Sequence, residues 1–305
     1  MSETSNLKDY RRLVMMAGRA SVITAVFFIL IKFMVWIISS SSSIFASMTD
    51  SMVDAVASLI NFLAIRFSVN PPDRDHRFGH FKAQSLASLA QATFIGASGL
   101  MLIAHGAGRI KHPEPVQYID LAVGVSVAGI VFTMLLVAFQ GYVYRKTRSE
   151  AVGADRLHYM SDILLNLAVI AALLLNMYGF LWADGLFAVL IGLYIIGGSM
   201  HIGKNAVNVL LDSSLSSADN QIIMQRILAT AGVDSIHDLK TRQAGPQIFI
   251  QCHVVMDGDL TLNRAHEIAN LVEKNLLEIA PDADITIHME PNDKATLDGI
   301  VFDDA

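Results

Sequence analysis

The chain has 305 residues, 53% of them hydrophobic and only 16% charged. Soluble domains carry roughly 25% charged residues, so this balance excludes an ordinary soluble protein and points to a membrane one. The net charge of −6 conceals two unlike parts: residues 212–305 hold sixteen Asp and Glu against six Lys and Arg, whereas residues 1–211 hold twelve against sixteen.

The first twenty residues are polar and basic, with no short apolar region leading to a small-residue cleavage site, so no cleavable signal peptide is expected. Six apolar runs of spanning length follow, at 20–38, 44–66, 83–105, 118–140, 157–178 and 182–203, because about 20 helical residues cross the hydrocarbon core. Lys8, Arg11, Arg12 and Arg19 precede the first. Arg66, Arg74, Arg77 and Lys82 flank the second loop, and Arg145, Lys146 and Arg148 the fourth. The first loop (39–43) is all serine, and the fifth has no basic residue. By the positive-inside rule both termini are cytoplasmic.

The acidic tail reads as a separate water-soluble unit of order helix–strand–strand–helix–strand. "SSADNQIIMQRILATA" has apolar residues at helical spacing behind a Ser/Asp-rich start. "HDLKTRQAG" and "QIFIQCHVVMDG" flank an "AGP" turn as a strand pair. "TLNRAHEIANLVEKNLLEIA" is an amphipathic helix with Thr261 or Asn263 as its cap, and "DITIHME" is a last strand. The fold class expected is therefore an α-helical membrane protein with six transmembrane helices (1–209) plus a cytosolic α+β, ferredoxin-like domain (210–305). The single cysteine, Cys252, excludes an intrachain disulfide framework and suits a cytosolic tail.

Within the second span Asp50 and Asp54 stand one turn apart, although a carboxylate in hydrocarbon costs several kcal/mol and marks a site or pathway. In the fifth span "HYMSD" repeats the spacing with His158 and Asp162. Spacing i, i+4 puts each pair on one helix face, so two helices can close a four-coordinate site. Three Asp and one His suit Zn²⁺ and also serve Fe²⁺, Mn²⁺ or Cd²⁺. At about 1.5 Å per residue, Asp54 lies about 15 Å and Asp162 about 20 Å from the outer face, so the pairs can meet near mid-membrane. The alternatives are an intramembrane Asp that only bonds a neighbouring helix, an ordinary helix-end His158, and an ion pair of Lys32 with Asp50 in place of a snorkelling lysine.

In the second loop, "NPPDRDHRFGHFKAQ" offers Asp73, His76 and His80, with Asp75 as an alternate and Gly79 to turn the chain; the other reading is a solvated cap of the next helix. The tail holds His237, His253, His266 and His288. His288 and Glu290 share a strand face and can converge on one ion, against a reading as scattered surface histidines. Cys252 and His253 point to opposite faces, which makes Cys252 a core residue. The chain has no H-E-x-x-H and no Walker A motif, so neither a zinc protease nor ATP-driven chemistry is indicated.

"TDSMVDAVASLINFLAIR", "DRDHRFGHFKA", "HYMSDILLN" and "WADGLFAVLIG" together resemble the cation diffusion facilitators over nearly the whole length. The resemblance implies a proton-coupled antiporter, not an enzyme, exporting Zn²⁺ (with Cd²⁺ or Fe²⁺) from the cytoplasm by alternating access. It implies an inner-membrane homodimer in contact with lipid, metal cations and protons; no nucleic acid is expected. By position, Asp50, Asp54, His158 and Asp162 match a transport site, and Asp73, His76 and His80 a second site. His237, His253, His266 and His288 match ligands of a two-metal structural site at the dimer interface. The chain departs from the family pattern in having Glu290 for an Asp, and Phe81 and Gln84 for Gly and Glu around Lys82.

Overall fold

The structure, a computed structural model, describes residues 5–39, 42–111, 119–178, 180 and 182–292. The chain divides into two compact units, one of Asp9–Val207 and one from Asn208 onward together with Met1–Lys8.

The first unit is six long helices: α1 (Ser5–Ser39), α2 (Ser42–Ser68), α3 (Lys82–Lys111), α4 (Ile119–Thr147), α5 (Glu150–Met177) and α6 (Ala183–Leu210). Among the described residues, four helices are long and apolar enough to cross a membrane: Asn6–Ile38, Ser51–Ser68, Lys82–Lys111 and Ala183–Leu210. In hydrocarbon every backbone polar group must be satisfied within the segment, which is why such runs are continuous helices.

The helices extend past the apolar runs because helix does not stop where hydrophobicity does. α1 begins at Ser5, against an expected span from 20. α5 begins at Glu150, against an expected 157. Ser149 explains the second shift: its hydroxyl accepts from the Val152 N–H at 3.4 Å and caps the helix. α2 ends at Ser68, ahead of Pro71 and Pro72, which cannot continue a helix. The loop then turns at Gly79, whose φ of +82° favours glycine.

Glycines set the approach of α3 and α6. A methyl group on Gly106 would meet the Gly185 carbonyl at 2.7 Å, and one on Gly192 would meet the Gly99 carbonyl at 2.8 Å. Small residues let membrane helices pack backbone to backbone.

The second unit contains α7 (Ser217–Leu228), β1 (Ser235–Ala244), β2 (Gln247–Met256), α8 (Leu262–Ile279) and β3 (Asp284–Pro291). The α+β order expected for the tail is the order observed. Ser216 caps α7 by accepting from the Asp219 N–H at 3.1 Å. Thr261, one of the two expected candidates, caps α8. The sheet order is β1-β2-β3, with β1 antiparallel and β3 parallel to β2. Ile250, Cys252 and Val254 of β2 are buried with Ile227 of α7 and Val272 and Leu276 of α8. Strand residues alternate faces, so His253 lies on the sheet face away from this core. Cys252 is a core residue, as expected, and burial pushes its thiol up to about 11.

Candidate metal centres

Three groups of potential ligands converge among the described residues, and each has its donor atoms within 4.8 Å of one another.

The first joins Asp54 of α2 with His158 and Asp162 of α5. His158 Nε2 lies 3.3 Å from Asp54 Oδ1 and 4.0 Å from Asp162 Oδ2. Ligands about 2.1 Å from a tetrahedral ion stand about 3.4 Å apart, so the three atoms sit at nearly the spacing an ion needs. His158 is buried, and its Nε2 makes no hydrogen bond; the Asp54 oxygen is close enough for an ion pair but outside hydrogen-bond geometry. A buried nitrogen left unbonded is costly unless something binds it, and its two nearest acidic neighbours point at the same spot. Asp50 lies on α2 one turn from Asp54, but its side chain falls outside the described residues. The expected contest with Lys32 therefore lies there too; Lys32 Nζ donates to Ser51 Oγ at 2.6 Å.

The second group is the α2–α3 loop. Asp73 Oδ1 lies 3.3 Å from His76 Nδ1, and Asp73 Oδ2 lies 3.2 Å from His80 Nε2. The two imidazoles are 4.6 Å apart, with Phe67 edge-on to His80 at 4.7 Å. Asp73 also accepts the backbone N–H groups of Asp75 and His76 at 3.0 and 2.7 Å, the self-bonding turn that Asp favours. The His76 N–H is the main cause, and it holds the Asp73 carboxyl below its ordinary value. His80 is 6% exposed and its Nδ1 has no partner. Asp75, the alternate, contributes its backbone N–H and is not in the group.

The third group lies on the face of the tail sheet opposite its core. His237, His253 and His288 pair in register across all three strands, which puts them in one row. Glu290 shares their face two residues beyond His288. Its oxygens lie 2.9 Å from His237 Nε2, 2.5 Å from His253 Nδ1 and 3.5 Å from His288 Nε2. Burial opposes the charge on Glu290, but hydrogen bonds from His253 and His237 outweigh it and hold the carboxyl below the ordinary carboxylate range. The donors within 4.8 Å of one another are those of His237, His253 and Glu290; His288 lies at the edge of that set, and His266 is exposed on α8 and outside it.

Two acidic residues near these groups escape a sequence reading. Asp238 sits in a bulge of β1 with φ of +48°. There Lys240 bonds it at 2.7 Å and His253 Nε2 lies 3.6 Å away. Asp155 is 2% exposed on α5, one turn before His158. The shift of register in β1 carries no sequence signal, and Asp155, three residues before His158 in "GADRLH", falls outside the apolar run of 157–178.

A family model described as the cation efflux transmembrane domain matches residues 19–211, and one described as the cation efflux protein cytoplasmic domain matches 215–292. The cation-efflux pump FieF of Shewanella oneidensis is 45% identical over 291 residues, covering 95% of this chain and 97% of that one. FieF of Cronobacter sakazakii is 44% identical over 283 residues, covering 93% and 94%. A solved structure of CzrB in its zinc form is 33% identical, covers 27% of this chain and 96% of that one, and superposes with a TM-score of 0.25. These matches make the chain a multi-pass membrane protein of a cation-efflux transporter class rather than an enzyme. The chain belongs to the cation efflux family, the cation diffusion facilitators.

Proposed function

We propose that the chain is a proton-coupled antiporter that exports Zn²⁺ from the cytoplasm, with Cd²⁺ or Fe²⁺ as further cargo, by alternating access. One observation carries the reading: in the membrane unit, Asp54, Asp162 and the unbonded Nε2 of His158 converge at ion-binding spacing. Asp50, one turn from Asp54 on α2, is the fourth ligand. A hard carboxylate set with one imidazole suits Zn²⁺ ahead of Mn²⁺.

The coupling follows from the ligand types. A metal ion binds only deprotonated carboxylate and neutral imidazole, so ion binding expels protons and protons expel the ion. An acidic exterior thus unloads a site that faces it and returns it protonated. The basic residues of the even-numbered loops support cytoplasmic termini, and on this reading the helices lie in the inner membrane, in contact with lipid. Residues 1–209 form the transport domain, and residues 210–305 the metal-binding and dimerisation domain. Asp73, His76 and His80 make a second site in the cytoplasmic loop.

In the tail, His237, His253, His288 and Glu290 hold a structural Zn²⁺, with His266 recruited in the homodimer. A fixed multi-histidine cluster releases its ion too slowly to lie on the transport path, so its role is to brace the dimer. Zn²⁺ flux in proteoliposomes tests the reading: Asp54→Ala and His158→Ala each abolish transport in folded protein, and wild-type flux in either overturns the site.

A further inference from the structure

Asp155 carries a carboxylate that the transport site does not use, in a place where such a group is expensive. It is 2% exposed on α5, and among the described residues the side chains that bond it, Ser21, Gln91 and Gln140, are neutral. Ser21 of α1 donates its hydroxyl to Oδ2, Gln140 of α4 donates Nε2 to the same oxygen at 2.8 Å, and Gln91 of α3 donates to Oδ1 at 3.4 Å. Gln140 Nε2 also reaches Ser21 Oγ at 3.0 Å. Four helices are tied at one point by one side chain.

A second tie lies beside the first. Tyr159, the residue after His158, shares a hydrogen bond with Ser58 of α2 at 2.9 Å and donates to the Ser21 carbonyl at 3.2 Å. Ser58 stands one turn from Asp54, and Asp155 one turn from His158. Both ties thus sit just beyond the ligands on each helix. With the cytoplasm at the start of α5, Asp155 is about 4.5 Å shallower than His158 and about 10 Å shallower than Asp162. Asp155, Ser21, Gln140, Ser58 and Tyr159 are each no more than 3% exposed. The Asp54 and Asp162 side chains are 35% and 34% exposed. Packed side chains thus cover the site toward the start of α5, whereas the two carboxylates keep exposed surface.

The cluster is also built to come apart. The Oε1 atoms of Gln91 and Gln140 are buried with no partner, so each amide spends its donors on Asp155 and leaves an acceptor unused. A half-satisfied buried network forfeits part of the stabilisation that a complete one would give. Charged groups inside membrane proteins mark pathways for the same reason.

We infer that Asp155, held by Ser21, Gln91 and Gln140 and flanked by the Ser58–Tyr159 bond, is the cytoplasmic gate of the transport path: in this conformation its hydrogen bonds close the metal site from the cytoplasm. They part when the site turns inward to load. Asp155 is a positioning residue and does not ligate the cargo. The inference rests on Asp54, His158 and Asp162 being the transport site.

Hydroxyl-radical labelling of Tyr159 in the full chain, reconstituted in vesicles, reads water access at the gate, and Zn²⁺ flux is measured on the same vesicles. In Ser21→Ala/Gln140→Leu, which removes three of these hydrogen bonds, labelling of Tyr159 rises at least about fivefold, the effect of losing even one net hydrogen bond from the closed state. The half-saturating Zn²⁺ concentration shifts with it, more than the maximal rate does, while Ser21→Thr keeps the hydroxyl and behaves as wild type. Labelling within about twofold of wild type in the folded double variant overturns the gate. Should that variant not fold, Ser21→Ala and Gln91→Leu, taken singly, are held to the same criterion. The two failures are distinct: unchanged labelling overturns the gate, and flux that survives Asp54→Ala overturns the site beneath it.

Discussion

Glu290 gathers three imidazoles around one carboxylate, and neutralising it separates the roles of charge and shape. Glu290→Gln keeps the bulk but cannot serve as an anionic ligand. Tail affinity for Zn²⁺ is expected to fall about 10- to 100-fold, read by competition with a chelator on the full chain, while flux through the membrane unit persists. The sign of the pH effect follows from the lowered carboxyl of Glu290. A group whose folded value is depressed stabilises the fold at neutral pH and loses that contribution as pH falls through and below the ordinary carboxylate range, near about 4.3 for Glu. Hydrogen exchange of the β2 amides should therefore speed up below that range in wild type and show a shallower pH dependence in Glu290→Gln. Identical profiles would remove Glu290 from the account. The convergence of these candidate groups was legible because their signals are local: His158 and Asp162 are four residues apart, and Asp73, His76 and His80 lie within eight. Asp155 was not, since it lies outside the apolar run taken as the fifth span and two of its partners, Ser21 and Gln91, are 134 and 64 residues away.

At the scale of elements, the glycine pairs of α3 and α6 fix how closely two helices approach. Gly185→Ala places a methyl 2.6 Å from the Gly106 carbonyl, a backbone atom that cannot rotate away. Overpacking of this kind costs about 1–3 kcal/mol, so thermal unfolding in detergent should shift downward, whereas Gly197→Ala, which meets nothing within 4 Å, should not. In the tail, Leu276 is fully buried beneath the sheet. Leu276→Ala should destabilise that unit by about 2–5 kcal/mol through the cavity it leaves, with the membrane ligands untouched. Hydropathy found the membrane helices because lipid imposes one requirement along the whole segment. It misplaced the start of α5 because a cap, Ser149, and not the onset of hydrophobicity, sets where that helix begins. In the tail the period of apolar residues and the turn chemistry agreed, and the strand order followed. The bulge at Asp238 arises from pairing between strands, which no single strand announces.

Across the whole molecule, the two units divide the labour that their compositions suggest. The apolar unit brings Asp54, His158 and Asp162 together; the acidic unit displays a histidine row on the sheet face opposite its core. The central claim is that an ion crosses by way of Asp54, His158 and Asp162. The most direct test is Zn²⁺ flux into proteoliposomes with and without an imposed pH gradient, comparing wild type with Asp54→Ala. The account predicts flux that follows the proton gradient in wild type and falls to the level of empty vesicles in the variant. Gradient-driven flux that survives Asp54→Ala would contradict it.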